Sequence, residues 1–105
     1  MSSELKIMQE KLESGTEVLL TGEVDIYTSQ NLKEKLYNIL DSTKRDVKIN
    51  CSSLSYIDST GLGILVGALK KARQMGCNIT IANLKDNIKK LFLITGLDKL
   101  FIIEG

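Results

Sequence analysis

From residue 5 onward, apolar and polar positions alternate with two rhythms. "LKIMQEKL" and "TEVLLTGEV" are apolar-rich runs separated by "ESG", a turn signal, and together they predict a β-hairpin. In "YTSQNLKEKLYNILD" the period lengthens. Leu32, Leu36, Ile39 and Leu40 follow the i, i+4, i+7, i+8 spacing of an amphipathic helix, with Thr28 or Ser29 placed to cap it. "DVKINCSSL" returns to alternation, setting Val47, Ile49 and Cys51 against Lys48 and Asn50, and predicts a strand. Residues 59–75 predict a second helix with Leu62, Leu65, Val66, Leu69 and Ala72 inward and Gly76 just past its end. "NITIANL" is the next strand. "KDNIKKLFLIT" is a third helix, with Ile88, Leu91 and Phe92 inward and Gly96 at its end, and "KLFIIE" closes the chain as a short strand or a helical turn plus strand.

The order is β-β-α-β-α-β-α-β, an α/β fold. Alternation after residue 25 implies parallel strands joined by right-handed crossovers, and the opening hairpin adds an antiparallel piece. The expected architecture is a small mixed sheet with helices packed on it, formed by one domain over residues 1–105. In such sheets the functional ground lies beyond the carboxyl ends of the parallel strands. The stretch "DST" at residues 58–60 falls there, between the third strand and the second helix.

Composition narrows the function classes. With 105 residues the chain can bury about two thirds of its unfolded surface, so folding needs neither metal nor disulfide. The formal net charge of +1 provides no broad field for nucleic acid or an anionic membrane, and 5% aromatics without Trp leave little for base stacking. No apolar run approaches a membrane span, and "MSSELKIMQEKLES" lacks the apolar core of a leader, so the expected compartment is the cytoplasm. Cys51 and Cys77 have no metal-binding spacing and read as small buried hydrophobes. The absence of His removes Ser-His-Asp and Cys-His arrangements, imidazole metal sites and phosphohistidine chemistry. The expectation is a protein that is not an enzyme and carries no metal or cofactor.

The segment "YIDSTGLGIL" then needs a reason, because glycine inside a helix costs about 1 kcal/mol relative to alanine. Capping by Asp58 or Ser59 accounts for the oxygens but not for Gly61, Gly63 and Gly67. A phosphate-cradling loop fits poorly. The Lys-Ser/Thr pair of a P-loop is absent, "GLG" lacks the third glycine of a dinucleotide fingerprint, and Asp58 would repel an anion. On a helical wheel Thr60, Ile64, Gly67 and Lys71 fall opposite Leu62, Leu65, Val66 and Leu69. That arrangement predicts an outer face with an exposed Ile beside glycine, flat enough for another protein's backbone to approach. A hydroxyl at the end of this face can be a switch. Phosphorylation adds about −1.5 to −2 charges. A helix N-terminus tolerates them, while a partner docked beside Asp58 meets a dianion.

"SYIDSTGLGILVG" resembles the phosphorylation motif of bacterial anti-anti-sigma factors, also called anti-sigma factor antagonists, which are built on the STAS domain. "TGEVDIYTSQNLKEKL" is similar to the family's second signature, and "ANLKDNIKKLFLITGLDKLF" to its C-terminal segment. The likeness spans nearly the whole chain, nearest to the general-stress branch and then to the sporulation branch. It implies a STAS fold and partner switching. The unphosphorylated protein binds an anti-sigma factor that is also a serine kinase of the histidine-kinase-like ATPase superfamily. The sigma factor is thereby freed for transcription. Phosphorylation releases the antagonist, and a PP2C-type phosphatase reverses it. The family's phosphoserine maps onto Ser59, and its acidic position before the first helix onto Asp25, with Glu23 nearby, both expected beside Ser59. Asp58, Thr60, Gly61, Ile64, Gly67 and Lys71 complete the expected docking face. The free protein is expected to be a monomer. An alternative is a ligand-sensing STAS module that binds a nucleotide or small anion at the start of the second helix.

Overall fold

The computed structural model describes residues 4–105. Residues 1–3 of the charged N-terminal stretch lie outside the described residues. Strands β1 (Leu5–Lys11) and β2 (Thr16–Val24) form the hairpin, followed by α1 (Ser29–Thr43), β3 (Val47–Ile57), α2 (Ser59–Gln74), β4 (Ile79–Ala82), α3 (Asp86–Thr95), a 3-10 turn (Leu97–Lys99) and β5 (Ile102–Glu104). The five strands lie in the sheet in sequence order. β1 runs antiparallel to β2, and every later pair is parallel. Each parallel step moves one place in the same direction through a helix. Right-handed crossovers therefore put all three helices on one face of the sheet.

The core fills the space between that face and the helices. Val18, Leu20, Ile49, Cys51, Ile79 and Ile81 from the strands meet Leu32, Leu36, Leu40, Leu65, Leu69 and Phe92 from the helices, all buried. Each large aliphatic side chain removed from water contributes about 1.5–3 kcal/mol. Phe92 and Phe101 join α3 to the final segment with ring centroids 6.0 Å apart. Burial pushes the Cys51 thiol up to about 12. Among the described residues no helix is long and apolar enough to cross a membrane.

Three local readings need correction, those of β3, the α2 face and Leu91. β3 extends beyond "DVKINCSSL" to Ile57, with buried positions Val47, Ile49 and Cys51 followed by Leu54 and Ile57. The alternation slips because β3 carries extra residues opposite Leu19–Thr21 and Gly22–Glu23 of β2, two β-bulges. Gly22, beside the second one, has φ 114°, and a Cβ there would collide with the Glu4 carbonyl just before β1. The inward face of α2 is Gly61, Leu62, Leu65, Ala68, Leu69 and Ala72, with Val66 only half-buried. Small residues turn the helix away from its most hydrophobic stripe because they let its axis approach the sheet. Leu91 is exposed, not inward. Cys77 is buried but precedes β4. Both glycine helix ends are present, with Gly76 at φ 77° and Gly96 at φ 76°.

Candidate functional site

The carboxyl ends of β2 and β3 are joined one residue past the ladder. The backbone N–H of Asp58 donates to the Val24 carbonyl at 3.1 Å. Asp58 is extended, at φ −104° and ψ −175°, and is the N-cap of α2. Its Oδ1 accepts from the Gly61 N–H at 3.0 Å, and its carbonyl accepts from the Leu62 N–H at 2.9 Å. Capping thus falls to Asp58 and leaves Ser59 as the first helical residue. Ser59 is exposed, and among the described residues its hydroxyl has no hydrogen-bond partner. Thr60 is exposed beside it.

The loop between β2 and α1 is built on Asp25. Its Oδ1 accepts from the N–H groups of Tyr27 at 2.9 Å and Thr28 at 3.2 Å, an Asx-type turn. Of the two residues expected to cap α1, Thr28 takes the position, without a side-chain cap bond. Its hydroxyl points back into the loop, donating to the Glu23 carbonyl at 2.9 Å and accepting from the Asp25 N–H at 3.0 Å. Glu23 is held from the other side, its N–H donating to the Glu4 carbonyl at 2.9 Å. The Val24–Asp58 bond sets this loop beside the start of α2, so Asp25 and Ser59 lie at one end of the sheet.

The turn pushes two large side chains into solvent. Ile26 is 64% and Tyr27 73% exposed, and Tyr56, opposite Glu23 in the β2–β3 register, is 48% exposed. Periodicity passes over all three. The available signal is "DIYTS", where two bulky apolar residues sit between a strand end and a helix start and belong to neither rhythm.

The glycines of α2 have three different roles. Gly61 is buried, and a Cβ there would stand 2.6 Å from both Ile57 Cγ1 and Val24 Cγ1. Its place is under the helix and not on an open docking face. Gly67 and Ile64 are likewise not on a smooth outer shoulder. Ile64 is half-buried against the core, and a Cβ on Gly67 would be 2.9 Å from Tyr37 Oη of α1. Lys71 bonds Asp41 of α1 at 2.9 Å, and with Lys33 it brackets the Tyr37 ring at 5.5 and 5.6 Å. Along this line Gly67 and Lys71 thus face α1, Ile64 packs on the core and Thr60 stays exposed. The exposed positions along α2 include Ser59, Gly63 and Lys70, with Val66 half-buried against the core between them. A Cβ on Gly63 would meet nothing within 4 Å, so no packing demand explains that glycine.

Chemically, the arrangement offers an exposed Ser59 hydroxyl at the end of the sheet that also carries Glu23, Asp25 and Asp58. Among the described residues no group of three or more His, Cys, Asp or Glu side chains is gathered to hold a metal. The Gly61 amide that a bound anion would need is already taken by the Asp58 carboxylate. The site suits covalent modification of Ser59 better than capture of a free anion.

Comparison with known proteins bears on the family and the fold. The STAS domain family model matches residues 6–104. The anti-sigma-B factor antagonist of Staphylococcus epidermidis is 42% identical over 90 residues, covering 85% of this chain and 83% of that protein. The structure of an anti-sigma factor antagonist from Mycobacterium paratuberculosis superposes with a TM-score of 0.81 at 23% identity, covering 96% of this chain and 86% of that one. The phosphorylated form of the Bacillus cell fate determinant SpoIIAA superposes with a TM-score of 0.73 at 20% identity, covering 93% and 90%. The two structural likenesses show a shared fold.

Proposed function

Since the chain belongs to the STAS domain family, among relatives named as anti-sigma factor antagonists, we propose that it is a non-enzymatic regulator that antagonises an anti-sigma factor through Ser59. With Ser59 unmodified, the protein binds the anti-sigma factor and frees a sigma factor of the general-stress type. That anti-sigma factor is a serine kinase, which transfers a phosphoryl group from ATP to the Ser59 hydroxyl. The added charge of about −1.5 to −2 falls beside Asp58 and Asp25 and drives the complex apart. A PP2C-type phosphatase restores the hydroxyl. The protein works in the cytoplasm and is a monomer between partners.

One observation carries the reading: Asp58 caps α2, so the neighbouring Ser59 hydroxyl is exposed and unbonded. A phosphate there opens no core contact and leaves the cap intact. The existence of SpoIIAA in a phosphorylated form on the same fold supports the same chemistry.

The test is incubation with the anti-sigma kinase and ATP. Intact mass should rise by one phosphate, fragmentation should place it on Ser59, and the product should lose binding until the phosphatase acts. A phosphate on another residue, or a phosphorylated form that binds as tightly as the unmodified one, overturns the proposal.

A further inference from the structure

At the end of the molecule away from Ser59, the chain leaves apolar surface that its core does not use. α3 turns Ile88 and Phe92 inward, yet Leu91, Leu93 and Ile94 are exposed, Ile94 to 82%. Leu100 and Ile102 follow at 42% and 53%. A single exposed aliphatic means little. A surface helix apolar on both sides, continued by further exposed aliphatics, marks an interaction surface. A shallow cavity of about 210 Å³ opens here, lined by Leu84, Lys89, Phe92, Leu93, Asp98 and Ile103. β5 runs alongside as the outer strand of the sheet, its far edge without a strand partner among the described residues.

The charge around this patch selects the occupant. Lys89, Lys90 and Lys99 outnumber Asp98, Glu104 on β5 is already paired with Lys48 at 2.8 Å, and among the described residues none of these three lysines is in an ion pair. Arg73, the nearest guanidinium, is occupied by the Leu100 carbonyl at 2.7 Å. A second copy docking by two-fold symmetry would set the same lysines against one another, which is unfavourable. We propose that this face docks an acidic amphipathic segment of another protein, its aliphatic side chains over Leu93 and Ile94 and its carboxylates toward the lysines. α3 leaves the carboxyl end of β4 and runs back, so Ile94 and Leu100 lie at the opposite end of the sheet from Ser59. Occupancy there is therefore independent of the phosphorylation state, and the inference stands apart from the switch.

The test pans a displayed library of random peptides against the full chain. Enriched peptides should combine Asp or Glu with Leu, Ile or Phe, and their binding should weaken with added salt. Affinity should fall about tenfold or more for Leu93→Ser with Ile94→Ser, and for Lys89→Glu with Lys90→Glu, but stay unchanged for Ser59→Glu. All these positions are exposed, and circular dichroism checks that each variant is folded. Peptides that bind the Leu93→Ser/Ile94→Ser protein equally well, or enrichment without acidic residues, overturn the proposal. So does binding of wild type to phosphatidylglycerol vesicles that Ile94→Ser abolishes, which assigns the patch to lipid. A dimer in sedimentation that Ile94→Ser dissolves overturns it as well, assigning the patch to self-association.

Discussion

The Asp58 amide lies 3.1 Å from the Val24 carbonyl, and this bond holds the β2–α1 loop against the first turn of α2. Asp58 also gives its carbonyl to Leu62 and its carboxylate to Gly61, so one residue serves β2 and α2 together. The next residue, Ser59, serves neither and is available to a partner or a kinase. The switch reading depends on this division between a structural aspartate and a free serine.

Asp58→Ala should destabilise the protein by about 1 kcal/mol through loss of the cap. Asp58→Asn keeps an acceptor oxygen for the Gly61 N–H and should cost clearly less. Urea unfolding of the two variants measures the difference. Equal losses in both would mean that charge at the helix end outweighs the hydrogen bond.

Gly61 and Gly63 should respond to alanine in opposite directions. At Gly61 the new methyl enters space held by Ile57 and Val24, at 2.6 Å from each. Overpacking of that kind costs about 1–3 kcal/mol and outweighs the helix-propensity gain of about 1 kcal/mol. At Gly63 nothing lies within 4 Å, so Gly63→Ala should raise stability by up to about 1 kcal/mol. The same methyl stands one turn from Ser59 and should weaken anti-sigma factor binding. Thermal melts and a binding titration on both variants check the pair. A Gly63→Ala protein that is more stable and binds normally would place the partner off this face.

Much of this was legible in the sequence. Leu32, Leu36, Ile39 and Leu40 announce α1 because a helix buried on one side must repeat its apolar residues at that spacing. The β-β-α-β-α-β-α-β element order was legible from the change between the two periods, while the neighbours in the sheet were not. The face of α2 was not legible by the same means. Gly61 and Ala68 are weak hydrophobes, yet they sit where the helix comes nearest the sheet, and the wheel counted the larger Val66 in their place. The open exposure expected of Ile64, Gly67 and Lys71 was not legible either, because a wheel shows the side opposite the core without showing that α1 stands there. Thr28 holds the expected N-cap position, but cap propensity does not show that the preceding loop takes its hydroxyl.

Cys51 should make stability fall with rising pH in an alkaline window. Burial pushes its thiol from 9.0 up to about 12. Below pH 9 the thiol is neutral in both folded and unfolded chains and has no effect. Between 9 and 12 the unfolded thiol ionises while the folded one does not, so folding weakens by up to about 1.4 kcal/mol per pH unit. Cys51→Ala loses some packing at every pH but removes this slope. Urea midpoints of both proteins at pH 8 and 10.5 test it. Parallel pH dependence would show that other groups control the alkaline limb.

Ile26, Tyr27 and Tyr56 should carry more of the binding energy than the acids beside them. Rim charges are well hydrated and act mainly on association rate and salt dependence. Exposed tyrosines present large amphipathic surfaces at modest entropic cost, and they are enriched among the residues that dominate interfaces. Tyr27 is positioned by its own N–H bond to Asp25, so little ordering remains to be done on docking. Tyr27→Ala and Tyr56→Ala should each lower affinity for the anti-sigma factor by roughly 2 kcal/mol, about thirtyfold. Both side chains are largely solvated, so melting temperatures should hardly move. Ile102→Ser, exposed at the sheet's other edge, is the control and should bind as wild type. If both tyrosine variants bind normally while Ser59→Asp does not, the partner touches α2 alone and the β2–α1 loop is only a scaffold. If all three lose affinity with unchanged stability, Ser59 sits inside an apolar ring, where a dianion is costly to bury.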